Sequence, residues 1–302
     1  MLSLRAAPPS PSTRAAVALH TRAAVAAVAL ARPARRPLES LRRIARGALL
    51  TPIALFLFGA IIGSFANVCI LRIPAEESIV SPGSRCPHCK EPVAWYDNVP
   101  LLSWLALRGR CRRCDGPISF RYFVVELASA LAAVALYLRV GFGVEWAVLF
   151  AFVAALIVVT FIDLDHRIIP DVVSLPGIAV GFVLSLRGEP GAVSSAIGIL
   201  LGAGLLLAVG WGYEAATGRE GMGGGDVKLL GMIGAFLGWR SVPFTLLLSS
   251  LSGSAVGVTL MWWTGSDRKY AIPFGPFLAL GAVLYIFCGD RLIGWYLGLG
   301  AG

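Results

Sequence analysis

The chain has 302 residues, 57% apolar and only 14% charged, with a mean hydropathy of +0.77 and a formal net charge of +9. Soluble domains carry about 25% charged residues, so this composition excludes a soluble globular fold and describes an integral membrane protein. Nine arginines against one acid (Glu39) place +8 of the charge in residues 1–46. The rest is nearly neutral, and the basic balance offers no argument for a nucleic-acid partner.

Residues 1–46 are rich in Ala, Arg and Pro and differ in composition from the rest of the chain. They read as a transit-like or membrane-surface segment, or more plainly as a disordered extension or the product of an upstream start codon. The first apolar run, 50–71, is long enough to span a bilayer, which takes roughly 20 apolar residues. A polar insert comes next, at 72–121. The region 122–290 then holds apolar runs at 122–140, 144–162, 171–186, 192–213, 228–239, 243–263 and 272–289. The expected fold is therefore an all-α polytopic membrane protein with about eight transmembrane helices, and a small extramembrane insert between the first and second. The runs at 171–186 and 228–239 are short enough to be tilted, broken or partly re-entrant.

Loop charges orient the helices. The insert carries eight Lys and Arg residues, so it should be cytoplasmic. The loops near 163–171, 214–228 and 264–270 should then lie on the same side, with Arg268 and Lys269 agreeing. The loops near 141–145, 187–191 and 240–242 are short, poor in Lys and Arg, and fall outside.

Two carboxylates stand at the cytoplasmic edges of apolar runs. Asp163 closes AALIVVTFID, and Asp226 opens the sixth run within GMGGGDVKLLG (221–231). Two spans separate them, so both lie on one face at similar depth. Ionisable groups at membrane depth mark functional sites. Two such carboxylates share a proton and can polarise water while protonating an amide leaving group, as in aspartic proteases. Gly223 and Gly225 would let a peptide backbone approach Asp226. Plainer roles exist: Asp163 as a helix-end partner of Arg167, and Asp226 as an N-cap. Asp165, His166 and Asp171 read as loop or supporting groups. Lys228 either pairs with Asp226 or snorkels to the interface.

The insert contains CPHC (86–89) and CRRC (111–114), separated by 21 residues. Cys86, Cys89, Cys111 and Cys114 have the spacing of a four-thiolate zinc site, here a structural clip, with His88 left out of the ligand set. Cytoplasmic placement argues against disulfides. Cys69 and Cys288 lie in apolar runs and read as packing residues.

Taken together, GSFANVCILRIP (63–74), the cysteine loop 86–126, IDLDHRIIPD (162–171), GMGGGDVKLLG and PFGPFLALGA (273–282) resemble the type IV prepilin leader peptidases. These are bifunctional peptidase/N-methyltransferases of the bacterial inner membrane. The resemblance implies Asp163 and Asp226 as the catalytic pair, acting at the cytoplasmic membrane face. It implies prepilin or pseudopilin substrates with a basic leader, a glycine before the cut and a hydrophobic helix after it. It further implies methylation of the new N-terminus from S-adenosylmethionine. Gly63, Asn67, Arg72 and Glu126 are candidates for that second activity only through the resembling motif; helix packing, polar helix contacts and interface anchoring are their plainer readings. A peptidase without methylation is the alternative. A proton-coupled transporter would call for mid-span acids or inverted repeats, and neither is seen. The sequence leaves the oligomeric state open.

Overall fold

In a computed structural model of the chain, residues 35–218, 223–264, 273–296 and 298 are described. Most of the basic extension, Gly221–Met222 and the loop with Arg268 and Lys269 lie outside them. The chain divides into Met1–Thr51 and Pro52–Gly302, and the site lies in the second unit.

The described residues form helices and connecting loops. Helix α1 is Arg35–Arg72, beginning within the basic extension. The insert holds a 3₁₀ turn, Trp95–Asn98, and a short helix α2, Leu102–Ala106. Beyond the insert lie α3 (Phe120–Val140), α4 (Val144–His166), α5 (Asp171–Ser185), α6 (Ala192–Thr217), α7 (Gly224–Leu237) and α8 (Ser241–Thr264). Helix α9 (Gly275–Leu284) passes through one π turn into α10 (Asp290–Tyr296).

Local chemistry sets the helix ends. The Ser119 hydroxyl accepts from the Arg121 N–H and caps α3. Arg167 adopts a left-handed conformation, and its N–H closes the last turn of α4 on the Asp163 carbonyl. Glycines with positive φ terminate α3, α6 and α7 at Gly141, Gly218 and Gly238, where a side chain would be strained.

Among the described residues, six helices are long and apolar enough to cross a membrane: Leu50–Arg72, Phe120–Val140, Val144–His166, Ala192–Thr217, Ser241–Trp263 and Gly275–Tyr296. The other two expected spans are helices of 15 and 14 residues, α5 and α7. At 1.5 Å per residue they reach only about 21–23 Å, against a hydrocarbon core of about 30 Å. Helix α7 also starts four residues before the expected run, so that Asp226 lies inside its first turn.

Helix α7 is a core element, ended at the positive-φ Gly238. Residues Leu229–Ala235 are all buried. Its closest neighbour is α6, and the two cross backbone to backbone. A Cβ built on Gly198 would run into the Gly234 carbonyl, one on Gly234 into Gly198, and one on Gly202 would stand 2.6 Å from the Leu230 oxygen. Such small-residue crossings replace the missing hydrophobic drive in lipid with close packing. Gly198→Val is therefore expected to cost about 1–3 kcal/mol or more through overpacking, read as a lower melting midpoint of the purified protein. An unchanged midpoint would show that the crossing does not hold α7 in place.

Candidate active site and cysteine centre

The last turn of α4 presents Asp163, 5% exposed, and the first turn of α7 presents the half-buried Asp226. The two carboxylates are near enough for the charge of Asp163 to act on Asp226. A third element completes the arrangement. The backbone N–H of Gly275, at the start of α9, donates to Asp163 Oδ2 at 2.9 Å in a buried setting. Asp163 Oδ2 is thus held in place by a backbone donor from a third element.

Ile169 is the common packing partner. A Cβ on Gly225 would lie 2.8 Å from Ile169 Cβ, and one on Gly275 would lie 3.3 Å from Ile169 Cδ1 and 2.6 Å from Asp163 Oδ2. The glycines before Asp226 therefore divide. Gly225 packs tightly, whereas among the described residues Gly224 meets nothing within 4 Å and Gly223 nothing nearer than Asp226 Oδ2 at 3.8 Å. Among the described residues, the carboxylate is approachable from the Gly223–Gly224 side.

Ion pairs brace the two motifs. Lys228 Nζ donates to both oxygens of Asp171, at 2.6 and 2.8 Å, tying the first turns of α7 and α5 together. This partner is not the Asp226 considered from sequence. Arg121 at the start of α3 pairs with Asp165 on α4. His166 is exposed.

Of the four residues suggested for the second activity, three converge. A Cβ on Gly63 would sit 2.6 Å from the Glu126 Cα, so this glycine sets the approach of α1 to α3. Asn67 Nδ2 donates to the Tyr122 carbonyl at 3.0 Å. The buried Glu126 carboxylate accepts the N–H of Leu101 at 2.7 Å and holds that residue at φ +63°. Arg72 lies elsewhere: its guanidinium donates to the carbonyls of Ser78, Pro82 and Gly83 and folds the entry to the insert. These polar groups are engaged by protein and, among the described residues, do not form a cradle suited to S-adenosylmethionine.

The cysteines form two matching knuckles. In each, a one-residue bridge (Arg85 with Pro92, Arg110 with Pro117) precedes the Cys-x-x-Cys turn. Lys90 and Asp115, with φ +59° and +57°, then reverse each chain, and their N–H groups return to the Cys86 and Cys111 carbonyls. The four Sγ atoms lie within 4.8 Å of one another, close enough to hold one metal ion. The Cys86–Cys114 separation of 3.7 Å matches the ~3.8 Å edge of a tetrahedron with metal–sulfur bonds of ~2.3 Å. Burial pushes the Cys86 thiol upward. The N–H groups of Cys89 and His88 and the Cys111 and Cys89 thiols outweigh it and bring it down to about 7.

Sequence reasoning did not single out Gly275 or Ile169. For Gly275 the signal was PFGP, where Pro273 and Pro276 mark a helix start around a glycine.

Comparison with known proteins agrees with this geometry. Residues 57–140 match the Bacterial Peptidase A24 N-terminal domain, and residues 150–258 match the Type IV leader peptidase family. The prepilin leader peptidase/N-methyltransferase of Aeromonas hydrophila is 42% identical over 269 residues, covering 80% of this chain and 92% of the relative. That of Aeromonas salmonicida is 39% identical over 270 residues, 80% and 92%. The Myxococcus xanthus protein of the same name is 43% identical over 215 residues, 70% and 63%. No solved structure matches the chain. With both aspartate motifs and the paired cysteine knuckles inside the matched residues, this chain belongs to the type IV leader peptidase family.

Proposed function

We propose that the chain is a bifunctional prepilin peptidase that removes the basic leader of type IV prepilins or pseudopilins and N-methylates the new N-terminus. The convergence of Asp163, Asp226 and the Gly275 N–H carries the peptidase half. In this reading α5 and α7 lie in the membrane with the six longer helices, giving eight passes in a bacterial inner membrane. The carboxylates then face the cytoplasm.

The chemistry rests on one shared proton. The ionised carboxylate takes a proton from water, and the water oxygen attacks the scissile carbonyl carbon. The protonated carboxylate hydrogen-bonds the carbonyl oxygen as charge develops there. The tetrahedral intermediate collapses, the C–N bond breaks, and the amine leaves with a proton from the pair. The Gly275 N–H keeps Asp163 in one orientation throughout. The open side at Gly223 and Gly224 admits the extended peptide. Lys228–Asp171 fixes α7 against α5, so the geometry is preorganised rather than assembled by the substrate.

Cys86, Cys89, Cys111 and Cys114 would hold a zinc ion that closes the insert and supplies no open coordination position. Gly63, Asn67, Arg72 and Glu126 would serve methylation indirectly, by fixing the insert on α1 and α3. S-adenosylmethionine is the methyl donor in this reading. Incubating purified enzyme with a prepilin and methyl-labelled S-adenosylmethionine tests both halves: the product should lose its leader and gain label. An intact leader would refute the peptidase assignment, and an unlabelled trimmed product the methyl transfer. Cys111→Ser should release about one zinc per chain and cut methylation at least tenfold. Retained zinc with full methylation would exclude the four-cysteine clip.

A further inference from the structure

The stretch 98–107 of the insert contains no charged residue and is bounded by Asp97 and Arg108. It does not stand clear of the long apolar helices. The N–H of Leu101 donates to the Glu126 carboxylate at 2.7 Å. The buried Leu101 side chain belongs to one cluster with Ala60 of α1 and Phe123, Leu127 and Ala130 of α3. The Trp104 ring meets Phe120 and Phe123 of α3, each at 5.4 Å between centroids. Another face of α2 is bare. Leu102 is 64% exposed and Leu105 54%, and Phe120 beside them in the first turn of α3 is 58% exposed.

Helix geometry gives the depth. Helix α3 has 21 residues, about 32 Å, and fills a hydrocarbon core of about 30 Å, which puts Phe120 at the edge of that core. Glu126 lies six residues further along, about 9 Å inside. Its carboxylate leans back toward the helix start, so α2 lies between that level and Phe120, still within the core. Helix α1 agrees: Gly63, packed on the Glu126 Cα, is nine residues before Arg72 at the helix end, about 14 Å. Chain at such depth needs its backbone polar groups satisfied by protein. Here the Val99 N–H donates to the Ser103 hydroxyl, the Ser103 N–H to the Val99 carbonyl and the Leu105 N–H to the Leu101 carbonyl, while Glu126 takes the N–H of Leu101.

We propose that residues 99–107 are a re-entrant foot of the insert, sunk in the leaflet on the insert's side of the bilayer, with Leu102 and Leu105 against lipid acyl chains. The inference depends on α1 and α3 crossing the membrane and not on the chemistry at Asp163 and Asp226. Lipid is the occupant because the bare face lies at a depth where acyl chains are the solvent, and it runs on into Phe120 of a spanning helix. Charge agrees. Arg108 and Arg110, exposed just past the foot, are placed to reach headgroup phosphates. The second cysteine knuckle starts at Cys111, directly after them, so the foot holds the cysteine centre at the bilayer surface.

Nitroxide depth measurement tests it. The full chain, in vesicles of phosphatidylethanolamine and phosphatidylglycerol, carries p-acetylphenylalanine coupled to an aminooxy nitroxide at one of three positions. These are Leu105, Leu131 (exposed in the middle of α3) and Glu91 (exposed in the first knuckle). Oxygen should relax the label more than a water-soluble nickel chelate does at Leu105 and Leu131, and less at Glu91. A Leu105 label that behaves like the one at Glu91 puts the foot in water and overturns the proposal alone. A Leu105 label shielded from both reagents is covered by protein, which overturns lipid as the occupant. A Leu131 label open to nickel overturns the crossing of α3, and this inference with it. Benzoylphenylalanine at Leu102 gives an independent reading: irradiation should add the mass of one phospholipid, as it should at Leu131. A chain–chain adduct at Leu102, or an unmodified chain beside a lipid-bearing Leu131 control, overturns the foot.

Discussion

In cells co-expressing a prepilin, Asp226→Asn is expected to leave the leader uncut and the N-terminus unmethylated, with the enzyme still inserted and accumulating. The substitution keeps shape and removes only the proton chemistry. Asp226 lies in the first turn of α7, and an amide has nearly the size and shape of the carboxylate it replaces, so little repacking is needed. Loss of a general acid–base group costs 10²–10⁴-fold, and loss of one member of a shared-proton pair removes both proton transfers. Cleavage should fall at least about a thousandfold, or ~4 kcal/mol in the barrier. Methylation should vanish with it, because the amine to be methylated is never released. Mass spectrometry of the prepilin reads both. Trimmed product at wild-type yield would remove Asp226 from the mechanism.

Gly275→Ala should be nearly as damaging, although residue 275 contributes no side chain. An added methyl would stand 2.6 Å from Asp163 Oδ2 and 3.3 Å from Ile169 Cδ1. The carboxylate must turn away, breaking its hydrogen bond to the Gly275 N–H and its alignment with Asp226. Misplacement of a reacting group by about 1 Å can cost 10²-fold, so kcat should drop about a hundredfold with KM changed far less. Gly224→Ala is the matched comparison. A Cβ there meets no atom of the described residues within 4 Å, and the variant should keep kcat within about threefold of wild type, since a small step away from the described site perturbs no catalytic alignment. Equal effects of the two substitutions would mean that glycine content, rather than the Gly275–Asp163 contact, is what matters.

The features legible in the sequence were those with a compositional signature. Among the described residues, apolar runs marked the six stretches long enough to cross a membrane, because buried or lipid-facing segments must be apolar, but not the start of α1 at Arg35. The two Cys-x-x-Cys pairs announced a four-thiolate cluster, and the cluster forms. Asp163 and Asp226 were visible as charges at the edges of apolar runs. Contacts between backbone and distant side chains were not legible. The N–H that holds Asp163 comes from residue 275, 112 positions away, and a backbone amide has no identity in a sequence. Lys228 chose Asp171, 57 positions away, over the adjacent carboxylate. The start of α7 was hidden because consecutive glycines read as loop. Their weak helix propensity is overridden here by packing of Gly225 on Ile169 and by burial of the rest of the helix.

The central claim is that Asp163 and Asp226 act as one acid–base unit. Cleavage rates of a single prepilin by Asp163→Asn, Asp226→Asn and the double variant, each with circular dichroism matching wild type, test it most directly. Residues that act as a unit are strongly non-additive. Each single variant should lose at least about a thousandfold, and the double variant should be no slower than the slower single one. A single variant near the wild-type rate, or losses that multiply in the double variant, would contradict the shared-proton pair.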